Sequence, residues 1–131
     1  MVDITSVVHF SIPVSDIECG TRFYTDIVGC RHLATVGQGT MAFLDAAGTC
    51  LILVKRDPPI NRRPEGHGGV HHSFAVADYQ AALEHLRRSG VEITFEEDRR
   101  GGVVNGPRAY FNDPDGTVLE FIELTSYAGA S

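Results

Sequence analysis

No apolar run in this chain approaches the ~18 residues that a membrane-crossing helix requires, so no helical span is expected. Positive charge is also scarce. Lys and Arg number 11 against 17 Asp and Glu, a formal net charge of −6. That balance argues against a nucleic-acid partner. Cysteine is sparse: Cys19, Cys30 and Cys50 are an odd number without metal-type spacing, which reads as reduced thiols rather than a disulfide framework. The opening "MVDITSVVHF" carries neither the basic region nor the apolar core of a secretion signal, and a cytoplasmic protein is expected.

What is present is an ordinary globular composition, with 43% hydrophobic and 21% charged residues. The 131 residues suit one domain, which buries roughly 65–70% of its unfolded surface.

The first strand signal is "VVHFSIPV", residues 7–14, where Phe10, Ile12 and Val14 alternate with His9, Ser11 and Pro13. Ser15 or Asp16 then caps a helix that stops at Gly29, with Ile17, Phe23, Ile27 and Val28 expected on its buried side. Gly20 within it costs about 1 kcal/mol relative to alanine. Three strands follow near 31–36, 40–45 and 50–55. The stretch 56–69, rich in proline, glycine and arginine, reads as a surface linker. The pattern then restarts. "VHHSFAVA" reads as a strand and "DYQAALEHLRRSG" as a helix capped by Asp78. That helix has Tyr79, Ala82, Leu83 and Leu86 on one face. Strands are expected near 91–96, 107–112 and 117–124, followed by a loose tail.

The two halves match in detail. "VHFSIPVSD" (8–16) and "VHHSFAVAD" (70–78) share one frame, and "LDAAGTCLILV" pairs with "NDPDGTVLEFI". The expected organisation is therefore one domain over 1–131, with module 1 near 7–55, linker 56–69 and module 2 near 70–124. The fold class is α+β, with two strand–helix–three-strand modules.

Within each repeated strand the histidine and serine share one face, and the apolar residues take the other. His9 and His71 thus occupy equivalent places opposite the helix-covered face, whereas His72 points with the apolar set. Glu120, between Leu119 and Phe121, is a carboxylate in an apolar strand, which is costly unless it is paired or metal-bound. Two imidazoles and one carboxylate with open positions form a facial set for a divalent metal, Fe or Mn foremost and Zn or Ni next. Taken singly, each has an ordinary explanation: a rim histidine or a salt-bridged glutamate. The repeat sets the trio apart. His32, His67 and His85 read as solvated, as do Arg99 and Arg100 before the glycine-rich "GGVVNG".

These stretches, above all "HFSIPVSDIECGTRFYTDIVG", "HHSFAVADYQAALEHLRRSGV" and "GPRAYFNDPDGTVLEF", resemble the vicinal oxygen chelate superfamily. It includes glyoxalase I, bleomycin- and fosfomycin-resistance proteins and extradiol dioxygenases. The resemblance implies two βαβββ modules whose mixed sheets curl around a central metal cleft, with His9, His71 and Glu120 as ligands. Its fourth ligand position falls on Ile52, which cannot bind metal, and this turns the expectation toward the three-ligand branches. Tyr110 matches a tyrosine that orients or protonates bound catecholate, although the catalytic histidine expected nearby is replaced by Gly101. The resemblance further implies a small oxygen-rich substrate chelated by the metal and a homodimer, and the glycine-rich loop 99–106 is expected to close over substrate. Bleomycin-resistance proteins of the same fold bind no metal and sequester a drug, so a binding module remains the alternative.

Overall fold

The computed structural model describes residues 1–56 and 70–129; the expected linker from 57 onward, with His67, lies outside them. The chain divides into two compact units, Met1–Asn61 and Arg62–Ser131. Among the described residues no helix is long and apolar enough to cross a membrane.

In the first unit β1 (His9–Val14) leads into α1 (Ile17–Arg22), which continues as a π-helical turn, Phe23–Val28. The carboxylate of Asp16 accepts the Cys19 N–H at 2.8 Å and caps α1. Three strands follow: β2 (Arg31–Val36), β3 (Met41–Ala46) and β4 (Thr49–Lys55). Their order in the sheet is β1-β4-β3-β2, with β1 parallel to β4 and the other pairs antiparallel. Alternation places Ile12, Val14, Leu44, Leu51 and Leu53 on a buried face. A Cβ at Gly20 would stand 3.2 Å from the Val14 side chain and 3.3 Å from that of Leu53. The residue that weakens α1 locally is therefore also the one that lets the helix approach its sheet closely.

The second unit repeats the plan: β5 (His72–Ala75), α2 (Tyr79–Arg88), β6 (Phe95–Arg99), β7 (Val104–Asn112) and β8 (Val118–Ile122). The order is β5-β8-β7-β6, with β5 parallel to β8. Asp78 caps α2 through the Ala81 N–H at 3.0 Å. Tyr79 and Leu83 pack with Ala109 beneath the helix, and Ile93 lies against them. A short β9 (Ser126–Tyr127) pairs with the start of β7.

The repeat extends to the ladders themselves. One row across the first sheet reads Ser11, Ile52, Phe43, Ala34. The equivalent row across the second reads Ser73, Glu120, Tyr110, Phe95.

Three expectations change. The helix ending at Gly29 does not keep one period. After Arg22 it widens, and the Gly29 and Cys30 N–H groups both reach the Tyr24 carbonyl, at 3.1 and 2.8 Å. The wider turn rotates Tyr24 inward to complete burial, while Phe23, Ile27 and Val28 are only half-buried. The strand expected near 91–96 pairs instead over Phe95–Arg99, because Ile93 is spent against α2. The tail is not wholly loose, since β9 finds open backbone on β7.

Candidate metal centre

Glu120 stands in the middle of β8, its side chain 4% exposed. Ladder register puts Ser73 on one side of it and Tyr110 on the other, all facing away from α2. His71 immediately precedes β5, and its Nε2 lies 3.8 Å from Glu120 Oε1. The His71 and Tyr110 rings meet edge-on with centroids 5.5 Å apart. Phe95 closes the far side of Tyr110 at 6.0 Å. His72 pairs with Leu119 in the ladder and so faces the opposite way.

Burial pushes the Tyr110 phenol up to about 12, and the adjacent Glu120 charge and hydrogen bond push in the same direction. At neutral pH Tyr110 is a protonated donor. Cys30 is raised to about 11, by burial first and then by Asp45, which makes it an inert thiol.

His9 lies at the start of β1 in the first unit, exposed, with Cys50 as its ladder partner. The structure thus brings together His71, Tyr110 and Glu120 within one unit, while His9 belongs to the other. Among the described residues no group of three His, Cys, Asp or Glu is gathered closely enough to hold a metal.

Arg108 is the residue that reading the sequence missed. It is buried, on the same face as Glu120, and its Nη1 lies 3.6 Å from Glu120 Oε2. Its spacing of two from Tyr110 is the signal that could have found it, because side chains two apart share a face.

The glycine-rich segment is tied down rather than open. The Asn105 side chain accepts the Gly102 N–H at 2.8 Å and donates to the Gly102 carbonyl and to Ser126 Oγ, both at 2.9 Å. Gly106 has φ +130, and any Cβ there would run into the Glu123 carbonyl. In this structure the turn 100–103 between β6 and β7 is held by these Asn105 contacts.

His71 and Glu120 are donor types that suit a divalent cation. Glu120 Oε2 is buried and has no hydrogen-bond partner. The Arg108 Nη1 at 3.6 Å pairs with it by charge but is beyond hydrogen-bond reach, so its lone pairs are not committed to a donor.

Comparisons with known proteins agree with this architecture. The family model described as Glyoxalase/Bleomycin resistance protein/Dioxygenase superfamily matches residues 6–121. A lactoylglutathione lyase of Haemophilus influenzae is 31% identical, covering 92% of this chain and 93% of its own. The metallothiol transferase FosB of Staphylococcus epidermidis is 31% identical over 90% of this chain and 81% of its own. Among solved structures, a mutant of the fosfomycin resistance protein FosX of Listeria monocytogenes, complexed with Mn(II) and 1S,2S-dihydroxypropylphosphonic acid, superposes with a TM-score of 0.75. It is 22% identical and covers 92% of this chain and 93% of its own. The chain belongs to the glyoxalase/bleomycin resistance protein/dioxygenase superfamily.

Proposed function

We propose that this protein is a metal-dependent enzyme acting on a small oxygen-rich molecule, with His9, His71 and Glu120 as metal ligands and Tyr110 as proton or hydrogen-bond donor. The observation that carries this reading is the buried Glu120 Oε2, without a hydrogen-bond partner, in a carboxylate whose other oxygen is 3.8 Å from His71. The names of the relatives support it, since one is a metallothiol transferase and a structural neighbour was solved with Mn(II). Fe or Mn is the favoured metal, with Zn or Ni next. A bound divalent ion supplies Lewis acidity toward two neighbouring substrate oxygens.

The chain's own residues then have defined tasks. Glu120 presents donor atoms from the middle of β8, and His71 from the residue just before β5. The Tyr110 hydroxyl, held protonated by burial, donates to a substrate oxygen as charge develops on it. Phe95 packs against the Tyr110 ring and fixes its angle. Ile52, in the row equivalent to Glu120, supports three-ligand chemistry of the dioxygenase-like or fosfomycin-modifying kind. The protein is proposed to be a cytoplasmic homodimer.

Elemental analysis of protein purified without added metal tests the reading, with about one equivalent of divalent metal per chain expected. Metal-free protein that also takes up no Mn(II) in titration would reverse it in favour of a drug-sequestering module. Sedimentation at micromolar concentration should show a dimer, and a 14.2 kDa species alone would refute that part.

A further inference from the structure

Arg108 is a buried cation with an unusual division of labour. Its Nη2 donates to the Val104 carbonyl at 2.7 Å and its Nε to the Gly106 carbonyl at 3.3 Å. Both acceptors are backbone carbonyls at the start of β7. The remaining nitrogen, Nη1, stops 3.6 Å from Glu120 Oε2, near enough for attraction yet too far for a hydrogen bond. The side chains are 5% and 4% exposed, so both charges are out of water and each needs the other. A guanidinium pinned by two carbonyls cannot slide forward to saturate the carboxylate. A lysine, with a single point charge on a flexible stem, could not be pinned in this way.

We propose that Arg108 is the positioning residue of the metal site. It compensates the buried Glu120 charge without hydrogen-bonding Oε2, so that the carboxylate is stable inside the sheet while the lone pairs of Oε2 stay uncommitted to a donor. The fork's anchorage to Val104 and Gly106 sets the stand-off distance. This proposal rests on the metal reading of Glu120.

Two measurements on the full chain test it and separate it from that reading. The first is a double-mutant cycle in metal-free protein, with R108M, E120Q and the double variant compared by urea unfolding. A coupling worth at least tenfold in the folding equilibrium is expected. Additive effects would overturn the proposal whatever the metal does. The second is Mn(II) affinity by calorimetry for wild type, R108M, R108K and N105A, with far-UV circular dichroism confirming fold. R108M should weaken Mn(II) at least tenfold, R108K should recover only part of that loss, and N105A should stay within twofold of wild type. If N105A loses as much as R108M, Arg108 acts only through the turn and the proposal fails. It fails too if R108M binds like wild type. If the cycle shows coupling and wild-type protein takes up no Mn(II), the metal reading has failed, and the pair is a structural ion pair with no positioning role. The Co(II) visible spectrum adds a signature: a shifted d–d band in R108K is expected, and an unchanged band in a weakened R108M would count against a change at the carboxylate.

Discussion

The two units carry the same ladder with opposite chemistry. In the second, β8 offers Glu120, with Tyr110 opposite and Arg108 two residues before Tyr110 on β7. In the first, the equivalent positions are Ile52, Phe43 and Met41, all apolar. A carboxylate, a phenol and a guanidinium thus stand where an isoleucine, a phenylalanine and a methionine stand in the other copy. The backbone is indifferent to the exchange, because β4 and β8 are entered through the same Gly-Thr step, with Gly48 at φ 96 and Gly116 at φ 90. The fold is therefore set by the opposite, helix-covered face, and the ladder row is free to carry chemistry. What Glu120 requires is a counter-ion, and only the second unit has Arg108 to supply one.

The sharpest way to break this comparison is to remove the chemistry from the second unit. His71→Ala and Glu120→Ala, together with His9→Ala in the first, are each expected to lower divalent-metal affinity by at least about 100-fold. Calorimetric titration with Mn(II) checks this, and retention of stoichiometric metal in any one of them removes that residue from the ligand set. A charge can also be added to the silent copy. Ile52→Glu should cost about 3–5 kcal/mol in urea unfolding, because a buried carboxylate there meets Met41 instead of an arginine. Met41→Arg in the same chain should recover part of that loss, and a lack of recovery would mean that the rows are not electrostatically equivalent.

Glycines sharpen the comparison next. Gly106→Ala should cost about 3 kcal/mol, because the Glu123 carbonyl occupies the Cβ position. Gly39, two residues before Met41 as Gly106 is before Arg108, has φ +82 with open space, so Gly39→Ala should cost only about 1 kcal/mol. Equal losses on thermal unfolding would contradict the crowding at Gly106. The smallest effect belongs to His72→Ala. Metal content should stay within about twofold of wild type, since His72 shares the Leu119 face. Essential His72 with dispensable His71 would shift the β5 register by one.

Much of this was legible in the sequence for physical reasons. Period-two alternation gave the β1 and β8 faces, Asp16 and Asp78 marked the helix starts, and the repeated His-x-Ser frame aligned the copies. Glu120 stood out because a lone carboxylate among Leu119, Phe121 and Ile122 needs a reason. Arg108 did not stand out, because its partner is on a neighbouring strand and only the register makes them a pair. Tyr24 was missed because a 3.6-residue period cannot show a turn that widens midway. The β6 position was missed because "VEITF" looks more like a strand than the charged "FEEDR" that pairs with β7.

The β9 strap has a practical consequence for handling the protein. Tyr127 pairs with Val104, Ser126 pairs with Asn105, and the Ala128 N–H donates to the Val103 carbonyl at 2.9 Å. The Val104 carbonyl is in turn the one that Arg108 grips. A change that frees residues 126–128 from β7 therefore reaches, through the Val104 carbonyl and Arg108, as far as Glu120. Comparing metal content with and without those residues turns the strap into a handle on a carboxylate buried two strands away.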